Sequence, residues 1–159
     1  MVEKVINIGN PVLDNPKISM QQGIGSNDTS LILQFVGEGL SCLFPGDIGK
    51  QIEHELIKGN KTLQSTFLLS PHNGSKTSNS NEFLEAVSAQ QIVISAGRFR
   101  PQIFPSTKLQ TYCQNNKLPL LNTLKIGTIT ILQHYKKIEV KTFFPQKTKN
   151  VSFAEQPYR

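Results

Sequence analysis

The chain has 159 residues, which is enough for one domain with its own hydrophobic core. A hydrophobic fraction of 37% and a charged fraction of 18% exclude an intrinsically disordered, collagen-like or coiled-coil protein. The net charge of +6 is unevenly placed, because residues 1–97 carry 6 basic and 9 acidic side chains whereas residues 98–159 carry 11 and 2.

The pattern of apolar and turn residues predicts strands that alternate with helices, which is typical of a layered α/β domain. Strands are predicted at residues 2–8, 30–36, 40–44, 66–69, 91–95 and 118–121, followed by a hairpin of residues 127–133 and 138–144. Helices are predicted from residue 48 to the stop signal Gly59, after the cap Ser80, and at residues 106–116. Residues 14–29 are predicted as an irregular connection, residues 1–145 as one domain and residues 146–159 as a disordered or frayed tail.

The first predicted helix has two distinct faces. Ile48, Ile52 and Leu56 recur at helical spacing and are expected to face the core. Glu53 and His54 are expected to face the solvent.

Membrane spans and disulfides are not expected in this chain. No apolar run approaches the roughly 20 residues of a transmembrane helix, and the first residues lack the pattern of a signal peptide, so we expect a cytoplasmic chain. Cys42 and Cys113 lie far apart, outside any metal-binding motif, and are interpreted as reduced thiols. A disulfide between them stays open.

Two loops carry the side chains with the clearest chemistry. Asp47 and His72 each follow a short apolar strand, and strand ends are where α/β domains place binding residues. A carboxylate and an imidazole are suitable ligands for Zn or Mn ions. Taken singly, the aspartate is as well explained as a helix cap and the histidine as an exposed loop residue.

Together these segments resemble the metallo-β-lactamase-type domain of the ComEC family of DNA-internalisation (competence) proteins. The matching pieces are Asn27–Leu33, Phe44–Ile48 followed by Glu53, His72–Ser78, Phe83–Leu84, Ile92–Gly97 and the Gly127–Ile131 start of the last hairpin. The family typically has Thr-Gly-Asp-Ile at the second piece and His-His-Gly-Ser-Lys-Thr-Ser at the third.

The resemblance implies a fold and an activity. The fold is the C-terminal half of an αββα sandwich, and the intact family domain is thought to hydrolyse DNA phosphodiesters beside an inner-membrane channel. Asp47 and His72 are implied as metal ligands, with DNA as the substrate. Residues implied or suggested to contact that substrate are Ser75, Lys76, Ser78, Arg98 and Arg100.

The chain departs from the family pattern in ways that bear on activity. The early metal-binding loop of the His-x-His/Asp-x-Asp-His type is absent, since the three histidines are His54, His72 and His134. Asn73 and Phe104 stand where the family has further histidines. A catalytic zinc site takes about three protein ligands, so we expect weak or no metal binding and no activity from the chain alone. The half-sandwich would also expose one apolar sheet face.

Three hypotheses therefore stay open. The chain is a split or degenerate half of a competence-type metallo-hydrolase, a basic DNA-binding module without catalysis, or an interaction fragment that completes its fold on another chain. The partner in the last case would be the missing N-terminal half, or the membrane channel, of such a protein.

Overall fold

The computed structural model describes residues 2–7, 26–37, 39–59, 62–97, 104–134 and 137–143, with the backbone alone at residues 2–7 and 134. Residues 14–25 of the predicted connection at 14–29, the predicted tail at 146–159, and Arg98 and Arg100 lie outside these residues. In the described part, the strands are β1 (Val2–Asn7), β2 (Leu33–Gly37), β3 (Leu40–Phe44), β4 (Phe67–Leu69), β5 (Gln91–Ile94), β6 (Leu120–Asn122), β7 (Ile129–His134) and β8 (Lys137–Thr142). The helices are α1 (Lys50–Lys58), α2 (Asn81–Val87), α3 (Thr107–Asn115) and α4 (Thr123–Ile126), with 3-10 turns at Ser26–Thr29 and Pro71–Gly74.

Strands β1 to β6 form one six-stranded sheet in sequence order. The pairs β1–β2 and β2–β3 are antiparallel, whereas β3–β4, β4–β5 and β5–β6 are parallel. Strands β7 and β8 pair with each other as a separate antiparallel ribbon. The structure thus confirms a mixed α/β fold with a mostly parallel central sheet.

Helices cover one face of this sheet and form the core with it. Because successive strand residues point to opposite faces, Leu43, Leu68 and Ile92 reach the helical side together, and each is fully buried. They pack with residues of α1, α2 and α3, which are Ile52, Leu56, Phe83, Leu84, Val87, Leu109 and Cys113. We define this side as the covered face.

The opposite side of the sheet borders an apolar groove of about 900 Å³. Its floor is formed by residues of β2 to β5, and strand β7 of the ribbon forms its other wall. The side chains lining it include Phe35, Phe44, Phe67, Leu69, Val93, Ile129 and Ile131. The rings of Phe35 and Phe44 meet edge to face with centroids 5.4 Å apart. We define this side as the groove face.

Most predicted elements are confirmed to within a few residues. Strand β2 begins at Leu33 rather than residue 30, because Ser30 closes a turn by donating its N–H and its hydroxyl to the Asn27 carbonyl at 3.1 and 2.6 Å. The predicted cap Ser80 accepts the Phe83 N–H at 3.3 Å. Helix α4 was not predicted, although the Asn122 side chain caps it by accepting the Leu124 N–H at 2.9 Å.

One expectation about α1 is wrong. Glu53 does not face the solvent but is fully buried, with 0% of its surface exposed. The reason is that a polar segment from another part of the chain packs over α1 and donates backbone N–H groups to this carboxylate.

Within the described residues, no helix is long and apolar enough to cross a bilayer. Cys42 and Cys113 are both free thiols, and burial raises the pKa of each to about 11. Neither is therefore a thiolate near neutral pH.

Candidate functional site

The two predicted loops meet at one edge of the sheet. Asp47 lies three residues beyond the end of β3, and His72 lies three residues beyond the end of β4. These strands are parallel neighbours, with Leu43 opposite Leu68, so their carboxyl ends reach the same edge. The His72 N–H donates to the Gly46 carbonyl at 3.1 Å, which joins the loops directly.

The Asp47 loop is fixed by the residues before β2. The Asp47 N–H donates to the Ser30 hydroxyl at 3.1 Å, and the Gly49 N–H donates to the Asp28 carboxylate at 2.6 Å. Asp28 thus places a negative charge at the N-terminus of α1, where the helix dipole favours it. Gly46 has φ of +66° and a Cβ there would lie 2.5 Å from Ser30 Cβ, so only glycine fits this turn. The Asp47 side chain itself is exposed.

The His72 loop has an unusual backbone. His72 and Asn73 have φ of 50° and 54°, and Gly74 follows with φ of 84°. Left-handed conformations at non-glycine residues cost about 1–3 kcal/mol each and concentrate at functional sites. Two consecutive non-glycine residues, His72 and Asn73, adopt this conformation and are held in place by the surrounding structure.

Hydroxyl groups and one aromatic ring surround the His72 imidazole. The Thr77 hydroxyl lies 3.4 Å from His72 Nδ1, and the Ser75 hydroxyl lies 2.9 Å from that of Thr77. The Phe104 ring lies 6.3 Å from the imidazole, centroid to centroid. Phe104 stands where the resemblance implies a further histidine, so this side of His72 faces an apolar ring.

The predicted substrate-binding residues differ in exposure. Lys76 is exposed, whereas Ser75 is 8% exposed and Ser78 only 2%. The Ser78 hydroxyl donates to the Ile48 carbonyl at 2.7 Å, which points to a structural role in joining the loop to α1. Substrate contact by Ser75 and Lys76 stays a prediction, and Arg98 and Arg100 lie outside the described residues.

Sequence reasoning missed the residues that hold the His72 loop. Glu53 accepts backbone N–H groups from Asn79 and Ser80, and the Asn79 side chain bonds to Ser70, Pro71 and Ser75. Asn79 also has φ of 62°. A usable signal was the Ser78–Asn79–Ser80 run before a helix, because such residues commonly bond to nearby backbone.

A catalytic metal site is not complete among the residues that the structure describes. Among the described residues, no group of three or more His, Cys, Asp and Glu side chains is arranged to hold a metal ion. Since catalytic zinc generally takes about three protein ligands, Asp47 and His72 would need ligands from elsewhere. Their roles as ligands stay predictions.

Comparison with known proteins links the chain to competence proteins. It is 31% identical over 117 residues, 74% of its length, to ComE operon protein 3 of Bacillus subtilis strain 168. It is 33% identical over 112 residues, 70% of its length, to competence protein ComA of Neisseria gonorrhoeae. The matched region covers only 15% and 16% of these two relatives. No family model matches the chain.

Proposed function

We propose that this chain serves DNA uptake as one half of a DNA-processing domain of the metallo-β-lactamase type, completed by a second polypeptide segment. The similarity to competence proteins supports the process. One structural observation carries the proposal: two polar loops meet beside a sheet that has a core on one face and an apolar groove on the other.

The groove reaches the edge of the sheet that holds the polar loops. Phe44 and Leu69, the last residues of β3 and β4, line the groove, and Asp47 and His72 follow three residues later. A segment that fills the groove would therefore end close to Asp47 and His72. That segment would supply metal ligands in addition to Asp47 and His72, since the described residues hold no group of three such side chains.

We infer from the ribbon β7–β8 that the second segment would itself be a β-sheet. A two-stranded ribbon is marginal in water and is narrower than the six-stranded sheet it faces. Strands added beside the ribbon would cover the remaining apolar floor. The corresponding segment of the relatives would lie in the 84–85% of their length outside the matched region.

A complementation experiment tests this proposal. The purified chain is mixed with segments of the Bacillus relative from outside the matched 117 residues, and complex formation is measured by light scattering. DNA cleavage is assayed with Mn²⁺ or Zn²⁺ before and after mixing. We expect no cleavage by the chain alone and a complex that protects the groove face.

Two results would contradict the proposal. Cleavage by the chain alone that disappears in Asp47→Ala would show that the chain already holds a complete site. A monomer that melts cooperatively and binds none of the segments would show that the groove face needs no partner.

A second candidate function is DNA binding without catalysis. Residues 98–159 carry 11 basic and 2 acidic side chains, and within them Lys108, Lys117, Lys125 and Lys137 are exposed. Basic side chains bind DNA mainly through phosphates, with release of counterions. The basic character of this half therefore favours sequence-independent binding.

Salt dependence tests DNA binding directly. We expect the affinity for labelled single-stranded DNA, measured by fluorescence anisotropy, to fall steeply as the salt concentration rises. If Lys125 contacts one phosphate, Lys125→Gln should reduce the slope of log K against log salt by about 0.7. Lys58→Gln is the matched control, because Lys58 is paired with Glu55 at 3.3 Å in the acidic half. Binding that ignores salt would dismiss this function.

A further inference from the structure

Glu53 is a buried carboxylate that binds the backbone of another segment. It lies in the first turn of α1 and has 0% of its surface exposed. One oxygen accepts the Asn79 N–H at 2.6 Å and the other accepts the Ser80 N–H at 2.9 Å. Burying a carboxylate costs free energy unless its oxygens are hydrogen-bonded. The two adjacent N–H groups therefore require a side chain at this position that accepts two hydrogen bonds.

Asn79 connects this carboxylate to the His72 loop. Its side-chain oxygen accepts the Ser70 hydroxyl at 2.6 Å, and its side-chain nitrogen donates to the Pro71 and Ser75 carbonyls at 3.3 and 3.4 Å. Ser70 and Pro71 precede His72, and Ser75 follows it. Asn79 therefore ties the two ends of the loop together, and Glu53 holds Asn79.

Two further bonds fix the same loop to the start of α1. The Lys50 N–H donates to the Thr77 carbonyl at 3.1 Å, and the Ser78 hydroxyl donates to the Ile48 carbonyl at 2.7 Å. The loop is thus attached to the segment that precedes α1, at Ile48, and to the first turn of α1, at Lys50 and Glu53. Glu53 supplies the attachment farthest from the helix N-terminus, and it is the only charged side chain among these bonds.

We propose that Glu53 is the positioning residue of the candidate site, and that its carboxylate sets the position of the His72 loop relative to Asp47. The importance of that position rests on the proposed function. The contacts that carry the inference are the hydrogen bonds to Asn79 and Ser80.

Nuclear magnetic resonance on the full chain tests this role. In Glu53→Gln, an amide nitrogen replaces one acceptor oxygen, so one of the two backbone N–H groups loses its partner while the side-chain size is kept. We expect amide exchange across residues 72–80 to rise at least tenfold and the side-chain resonances of His72 and Thr77 to shift, because the 3.4 Å approach of the Thr77 hydroxyl to His72 Nδ1 depends on the position of the loop. Exchange at Ile92 and Ile94 in the core should stay as in the wild type.

Glu55→Gln is the matched control, because it removes the same charge from the same helix without contact to Asn79 or Ser80. It should leave the loop and His72 unchanged. Unchanged loop exchange and unchanged side-chain resonances of His72 and Thr77 in Glu53→Gln would overturn the proposal. A uniform rise in exchange that includes the core would also overturn it, since it would show a general structural role.

These measurements need no DNA and no partner, so they fail separately from the proposed function. A loop displaced in Glu53→Gln supports the positioning role even where the complementation experiment finds no complex.

Discussion

The covered face and the groove face belong to the same strands but meet different surroundings. On β4, Leu68 packs among helices and is fully buried, whereas Leu69 lines the groove and is partly exposed. On β5, Ile92 is likewise buried on the covered face, whereas Val93 lines the groove and is partly exposed. Both faces are apolar, so hydrophobicity alone does not distinguish a finished core from a surface that still has room for a partner.

The largest expected effect compares identical truncations on the two faces. Leu68→Ala removes a fully buried side chain and is expected to lower the free energy of unfolding by about 2–5 kcal/mol. Leu69→Ala opens onto an existing groove, so we expect a smaller loss of about 1–2 kcal/mol. Urea denaturation of both variants provides the measurement. Equal losses would mean that the groove face is packed as tightly as the core.

The next effect tests whether the candidate site is built onto the covered face. A Cβ at Gly74 would lie 2.8 Å from Pro105 Cβ and 3.0 Å from Cδ1 of Ile94, a core residue, and its φ is +84°. We expect Gly74→Ala to cost about 2–3 kcal/mol, as strain and crowding combine.

Gly97→Ala is the control for this substitution, because a Cβ at Gly97 would meet no atom within 4 Å. Its unfolding transition should match that of the wild type. A Gly74→Ala protein as stable as Gly97→Ala would show that the loop moves independently of the core.

The smallest effect concerns pH and the buried carboxylate beneath the site. Burial raises the pKa of Glu53, while hydrogen bonds from Ser80 and Asn79 and the charge of Lys50 act in the opposite direction. The folded protein therefore keeps the Glu53 proton at pH values where the unfolded chain has released it. This contribution to stability is fully present below the unfolded pKa and is lost as the pH rises through the folded pKa.

Stability curves of the wild type and Glu53→Gln, measured from acid to neutral pH, check this sign. The free energy of unfolding of the wild type relative to the variant should fall as the pH rises above the ordinary pKa range of glutamate, and should then stay constant. An advantage that grows over that range would show that the folded state lowers the pKa instead.

Local patterns predicted most of the elements but not their contacts across the fold. Short apolar runs between turn residues located β3, β4 and β5, and the cap Ser80 located the start of α2. Helix α4 was missed because its four residues are too few to show a helical period. This helix is also held by a segment distant in sequence, since the Thr123 hydroxyl accepts the Ala96 N–H at 3.0 Å and donates to the Ala96 carbonyl at 3.1 Å.

The two loops of the candidate site could be predicted from the sequence, whereas the residues that hold the His72 loop could not. Asp47 and His72 follow strands, and parallel pairing brings strand ends to one edge, so their loops could be expected to meet. Glu53 was placed on the wrong side of α1 because a charged residue in a helix normally faces water. Nothing local shows that Asn79, 26 positions later, donates an N–H to it.

The sequence by itself determined the order of the strands and of the three longer helices, the two polar loops and the basic character of residues 98–159, because each depends on neighbouring residues. Only the tertiary structure decided that one sheet face is covered by helices while the other borders a groove, because alternate residues of the same strands make both faces apolar. It also decided that Glu53 is buried, because the N–H groups that offset the cost of its burial belong to a segment that lies next to it only in the folded chain.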